Sequence, residues 1–269
     1  LLPLPLALLA QAPAKTTDAG KQLRAFFDEE WEWGLKEYPE RATYQGDRRY
    51  NDRLTDRSLE AIARREARRR DVLARLNRIP RAELSPEDQL SYDLYKRQLE
   101  IAIAGDRFLS ELDPVNQQGG IHQDFAILSS VTQFRNAKDY RDYLARLTAF
   151  PRAVDQTIAV MERGREKGWI PPAVPLREVP AAMQAQIHDA PEKSAHWKPF
   201  EKFPEGVPET EREALRAEGR KRIAEDVIPA YRRLQEYFTS KYLPAARQEV
   251  GAWALPDGPA FYAHEIQRY

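Results

Sequence analysis

The 269-residue chain carries 42 Lys and Arg against 42 Asp and Glu, is 42% hydrophobic and 31% charged, and has no cysteine. With zero net charge it holds no basic excess to neutralise a phosphate backbone, which argues against nucleic acid as a partner, and it has no thiol for a disulfide or a lipid anchor. A chain of this length buries one large core or two smaller ones, and its charge content suits a helical protein with solvated outer faces.

Leu1 to Leu9 form an apolar run that ends in the small residues Ala10-Gln11-Ala12 and Pro13-Ala14. This is the pattern of a signal-peptide core and cleavage region, and it falls short of the roughly 20 apolar residues of a bilayer span. Residues 1–14 are therefore expected to be a signal-peptide remnant, residues 15–269 a helical domain cut short at its C-terminal end, and the protein periplasmic or secreted with no membrane span. Between Lys21 and Glu37, Leu23, Phe26, Phe27 and Trp31 recur at helical spacing, and Tyr38-Pro39 ends the run because a residue before proline is pushed out of the helical conformation. Trp31 and Trp33 read as core and rim aromatics.

The stretch Tyr38 to Ser58 reads as a corner between helices. After it, Thr55 or Asp56 is expected to cap a helix with Leu59, Ile62, Ala63, Leu73 and Leu76 on its inner side. The other side carries Arg64, Arg65, Arg68, Arg69 and Arg70, interleaved with Glu60, Glu66 and Asp71 at ion-pair spacing, and reads as a solvated face. Ser85-Pro86-Glu87-Asp88 is a strong helix start, with a capping hydroxyl, a first-turn proline and first-turn acids. Leu90, Leu94, Tyr95, Leu99 and Ile101-Ala102 supply the expected buried stripe of that helix. Asp113 to Gln123 is rich in amides and glycines and reads as a loop able to carry contacts.

Asn136-Ala137-Lys138-Asp139 starts a helix that runs to Phe150-Pro151, and a second run from Val154 to Gly164 is expected to fold back as its antiparallel partner. A short helix is expected over Val179 to Ile187. Ala190 to Pro208, with its prolines and lack of period, reads as a long surface loop or lid. Thr210-Glu211-Arg212-Glu213 has the form of a capping box, and Pro229 is expected to bend the helix that follows. Pro256-Asp257-Gly258-Pro259 makes a turn into a last helix. With no strand alternation, internal repeat or sustained heptad, the fold class is all-α, an irregular multi-helix array with Pro-rich loops.

Chemical motifs are sparse. His264-Glu265-Ile266-Gln267-Arg268 begins like the zinc-peptidase His-Glu-x-x-His, but Arg268 stands where the second imidazole is needed, so it reads as a helix-surface His-Glu pair. His122, His188 and His196 form no cluster at ligand spacing, and the chain has neither a Gly-x-Ser-x-Gly elbow nor a phosphate loop. His122, near Asn116 and Gln123, either stabilises its loop or hydrogen-bonds a substrate backbone.

The order of Pro39, Ala42-Thr43, Gly46, Tyr50-Asn51-Asp52, Leu54 and Asp56-Arg57-Ser58 resembles a segment of the bacterial family catalogued as domain of unknown function 885. The resemblance extends through Ser91-Tyr92-Asp93-Leu94, the Asn116–His122 loop, Tyr143 to Leu147 with Phe150-Pro151, Met161 to Gly164, Tyr242-Leu243-Pro244, and Leu255 to Gly258 with Phe261-Tyr262. It implies a largely helical, exported protein of roughly double this length that looks like a zincin-type metallopeptidase. Its His-Glu-x-x-Pro-Gly-His-like motif would lie beyond this chain. On that reading the full-length protein holds zinc and cleaves peptides, while this fragment holds neither metal nor catalytic residue. Its partners are then a peptide substrate and the missing C-terminal half, with Asn116, His122 and Tyr262 as substrate-cleft candidates. The alternative is a non-catalytic helical binding or scaffold module of the periplasm, recognising partners through Trp- and Tyr-rich surfaces.

Overall fold

The computed structural model describes residues 17–268, so the expected signal segment at 1–14 lies outside the described residues. Every regular element among the described residues is helical, with one isolated bridge between Pro172 and Arg247 and no strand among them, as the all-α reading requires. Helix α1 (Asp18–Glu37) starts where the Thr17 hydroxyl accepts from the Gly20 N–H at 3.0 Å. It stops at Tyr38, and α2 (Pro39–Tyr44) begins at once with proline in its first turn, where a missing N–H costs nothing. The corner between long helices thus contains a short helix of its own.

Helix α3 (Leu59–Leu76) is capped by Ser58, whose side chain accepts from Ala61 N–H. The expected caps are engaged elsewhere: Thr55 with Glu40, and Asp56 as acceptor for Gln156. Helix α4 (Pro86–Gly105) is capped by Ser85 as its sequence predicts. Helices α1, α3 and α4 share a core of Leu23, Phe26, Val72, Leu76, Tyr92 and Leu99. On α4 the buried positions are Tyr92 and Leu99, one heptad apart. Leu90 and Leu94, expected in the stripe, are 60% and 55% exposed, and Ala63 on α3 is also exposed.

The arginine side of α3 is solvated only in part: Arg64 and Arg70 are exposed, while Arg65, Arg68 and Arg69 turn inward. Arg65 donates to Glu37 at 2.8 Å and lies over the Tyr38 ring, and Arg68 donates to Glu30 at 2.7 Å and stacks 4.1 Å above Trp33. Arg69 pairs with Asp106. The acids and aromatics of α1 and the end of α4 draw these side chains inward, because a guanidinium can stack on a ring while its N–H fork meets a carboxylate.

Helix α5 (Ile121–Val131), unanticipated in the sequence, takes over the last part of the amide-rich loop; Gly120 precedes it at φ +132°, a backbone state that L side chains rarely adopt. Helix α6 (Ala137–Glu166) opens on a capping box between Asn136 and Asp139 and runs 30 residues without a break, in place of the expected antiparallel pair. Pro151 deprives only the Leu147 carbonyl of its N–H partner. Buried Tyr143, Leu147 and Phe150 before it and Val154 and Met161 after it hold both halves in one core.

Helices α7 (Ala173–Leu176) and α8 (Val179–Gln184) follow. Ala190 to Pro208 is neither surface loop nor lid. It contains α9 (Lys198–Glu201), and Trp197, Phe200, Phe203 and Val207 are buried with Tyr140 and Tyr143 of α6. Helix α10 (Glu209–Arg222) starts after Pro208 without a side-chain cap, so the Thr210 box does not form. It continues through a π turn (Ile223–Val227) into α11 (Ile228–Tyr237) and a second π turn (Phe238–Tyr242). In each π turn the last N–H, of Ile228 or Leu243, bonds five residues back, immediately before Pro229 or Pro244. The wider turn accommodates the donor that proline lacks. Helix α12 (Gly258–Ile266) then packs on α4.

Candidate functional site

The family-like stretch is held in place by Arg146 of α6, whose side chain is fully buried. Its guanidinium donates to the carbonyls of Arg53, Pro39 and Tyr50 and to the Thr43 hydroxyl, and Thr43 in turn donates to Asn51 Oδ1. Burial pulls the Arg146 guanidinium down to about 10, still charged at neutral pH. Arg48 reaches from the same stretch to Asp139 at the start of α6. The turn from Gln45 to Ser58 is thereby pinned to one helix by donors that add to the pairing the stretch makes for itself, the Arg53 N–H to the Tyr50 carbonyl and the Thr43 hydroxyl to that of Pro39.

A cavity of about 310 Å³ lies between α2 and α5. Leu54, Ile121, Phe125, Leu128 and Ala153 make its floor, and Glu40, Tyr44, Arg57 and Asp124 make its rim. An open groove along Tyr38, Arg41, Gln45 and Thr55 continues it past the same Glu40, Tyr44 and Arg57. Glu40 accepts from the Thr55 N–H at 3.1 Å and lies 3.8 Å from Arg57. Asp124 has no ion pair among the described residues, and burial holds its carboxyl above the usual range against the pull of Arg57. An apolar floor beneath a charged rim suits a ligand that presents an apolar group and a polar end together.

Of the three residues singled out in the sequence, two belong to one local unit. Asn116 accepts from the Gln118 N–H at 2.9 Å and shapes the turn before Gly120. His122 lies in the first turn of α5, not in the loop, with no exposure and with Nδ1 lacking a hydrogen-bond partner. Burial lowers it to about 4, so it is neutral at physiological pH. Tyr262 stands apart on α12, 60% exposed. The sequence reading did not single out Glu40, Tyr44, Arg57 or Asp124. The first three sit inside the stretch that carries the family resemblance, which was the available signal. Asp124 lies one residue past the amide-rich loop.

A second cleft, about 370 Å³, lies between α3, α4 and α12 and is lined by Glu66, Arg69, Asp106, His264 and Glu265 among others. His264 is not on the surface: it packs 5.2 Å from the Phe108 ring and against Gly105, while Glu265 pairs with Arg268 at 2.9 Å. Among the described residues no group of three His, Cys, Asp or Glu side chains is arranged to hold a metal. The donor set present does not fit a zinc site, which needs at least three converging ligands.

The chain matches the family described as "Bacterial protein of unknown function (DUF885)" over residues 39–269. Among solved structures it is similar to one described as the "putative lipoprotein from Colwellia psychrerythraea", with a TM-score of 0.71 and 18% identity over 94% of this chain and 46% of that one. This chain therefore spans less than half the length of that structure, and at such identity the likeness is one of fold. No curated protein matches it.

Proposed function

Since this chain belongs to the bacterial family of unknown function DUF885, we propose that it forms the N-terminal helical part of an exported, zinc-dependent, peptidase-like hydrolase acting on peptides. The observation that carries the reading is the cleft between α2 and α5. It joins an apolar floor to Glu40, Tyr44, Arg57 and Asp124 at the end of a long open groove, an arrangement suited to an extended peptide that offers a side chain and backbone polar groups side by side. The matched structure, of which this chain spans 46%, is consistent with a longer protein, and its lipoprotein description is consistent with export.

Zinc, when bound, would polarise a peptide carbonyl and activate water. The residues described above do not fit that ion, so in this reading its ligands come from another part of the protein. This chain's own contribution is to bind and orient the peptide. Arg146, by fixing the carbonyls of Pro39, Tyr50 and Arg53, sets where Glu40 and Arg57 stand.

The test compares this chain with the whole gene product for bound zinc and for peptide cleavage. Stoichiometric zinc and chelator-sensitive cleavage in the whole product are expected. Neither zinc nor cleavage there would overturn the proposal and leave a binding or scaffold module.

A further inference from the structure

The rim of the α2–α5 cleft is unevenly charged. Glu40 is already engaged by Thr55 and, at 3.8 Å, by Arg57. Asp124 lines the same cavity with no ion pair among the described residues. Two carboxylates against one guanidinium leave the rim one unit negative, directly above Ile121, Phe125 and Leu128. Arg57 Nε is buried without a hydrogen-bond partner, so one donor at the rim is also unused.

From this geometry we infer that the cleft receives the free amino end of a peptide whose first side chain is apolar, a specificity that rests on the peptide-binding reading above. The first side chain lies on Ile121, Phe125 and Leu128. The ammonium meets the Asp124 carboxylate, which supplies the missing countercharge, and the first peptide carbonyl accepts from Arg57. A carboxyl end would instead place a third negative charge beside Glu40 and Asp124, which one guanidinium cannot offset. A blocked amino end would leave Asp124 without a cation and press an acyl group against it. The raised position of the Asp124 carboxyl, caused by burial and by Glu40 in opposition to Arg57, accords with a carboxylate awaiting a cation.

The experiment is calorimetric titration of the chain, alone and within the whole gene product, with Leu-Gly-Gly, N-acetyl-Leu-Gly-Gly and Gly-Gly-Leu. Leu-Gly-Gly is expected to bind about tenfold or more tightly than either of the others, the scale of one charge-assisted contact. Asp124→Asn, which removes the charge while keeping an acceptor oxygen for the Gly120 N–H, is expected to erase that preference while leaving the unfolding midpoint unchanged. Equal binding of free and acetylated peptides, preference for Gly-Gly-Leu, an Asp124→Asn variant that keeps the preference, or no binding of any of the three would each overturn the inference. Zinc-dependent cleavage without preference for a free amino end sinks this inference and spares the hydrolase reading. Preference here without zinc or cleavage in the whole product does the reverse.

Discussion

Arg146, fully buried in the first half of α6, donates to the Thr43 hydroxyl at 2.7 Å and so joins the longest helix to the short helix α2 of the family-like stretch. The same guanidinium serves three backbone carbonyls but no carboxylate. It works as a donor hub that ties α2 and the following loop to α6, beside the α2–α5 cleft.

Arg146→Met should therefore destabilise the fold by roughly 3 kcal/mol or more, since several buried acceptors lose their donor at about 1–3 kcal/mol each. Arg146→Lys should fall between that variant and the parent, because an ammonium cannot reproduce the planar fork. Urea unfolding followed by far-UV circular dichroism measures both. A loss below about 0.5 kcal/mol for Met would show that the loop is held by other means.

The inward arginines of α3 make a separable claim. Glu30 is nearly buried, and its carboxyl is raised by burial in spite of Arg68 and Arg75. Arg68→Ala removes the nearer countercharge and the cation over Trp33, and should cost about 2–4 kcal/mol. Adding Glu30→Gln should recover part of that loss, with a coupling of about 1 kcal/mol or more in the double-mutant cycle. Strict additivity would mean that the pair behaves like an ordinary surface bridge.

Two buried histidines set an acid limit. Burial lowers His122 to about 4 and His196 to about 3, the latter with hydrogen-bonding contacts from the hydroxyls of Tyr143 at 3.2 Å and Tyr231 at 3.5 Å. Below the ordinary histidine value of about 6.5 the unfolded chain takes up protons that the folded chain refuses, so stability falls as pH drops from there toward the folded values. Each histidine should contribute a slope of up to about 1.4 kcal/mol per pH unit. His196→Gln, which can still bond to both tyrosines, should flatten the urea-midpoint profile between pH 6 and 4 by about one proton. An unchanged profile would place the acid sensitivity elsewhere.

Asp113 acts in the opposite sense. Its Oδ1 and the Tyr242 hydroxyl are both buried without a hydrogen-bond partner, and burial pushes the carboxyl up to about 6, with Tyr242 opposing. A carboxyl raised in the fold favours its protonated form there, so its contribution is lost as pH rises from the unfolded value of about 3.9 through the folded one. Asp113→Asn should stabilise the protein at pH 7 by roughly 1–3 kcal/mol and have little effect near pH 4. Equal effects at both pH values would show that the gain has nothing to do with ionisation.

Gly120 tests the geometry of the loop that delivers His122. A Cβ there would stand 2.7 Å from the Pro114 carbonyl oxygen, and its φ of +132° is hostile to side chains in any case. Gly120→Ala should cost about 1–3 kcal/mol and, by displacing α5, weaken any ligand bound at Asp124. Wild-type unfolding and binding in this variant would show that the loop yields freely.

The amino-acid sequence by itself determined the all-helical class, the family, and those boundaries set by local chemistry. The break at Tyr38-Pro39, the Ser85 cap before Pro86, the Asn136 start and the turn at Pro256–Gly258 all depend on hydroxyls, amides and prolines within a few residues of the helix end. Tertiary structure decided the rest. Pro151 reads as a helix stop until buried neighbours on both sides outweigh one lost hydrogen bond. Arg65, Arg68 and Arg69 of α3 read as solvated until acids and rings from α1 and α4 meet them, and Ala190–Pro208 reads as a lid until its aromatics reach Tyr140 and Tyr143. The cleft is of the same kind, because Glu40 and Asp124 lie more than eighty positions apart in sequence. Their common cavity exists only where α2, pinned by Arg146, comes against α5, and no local periodicity records which surfaces will meet.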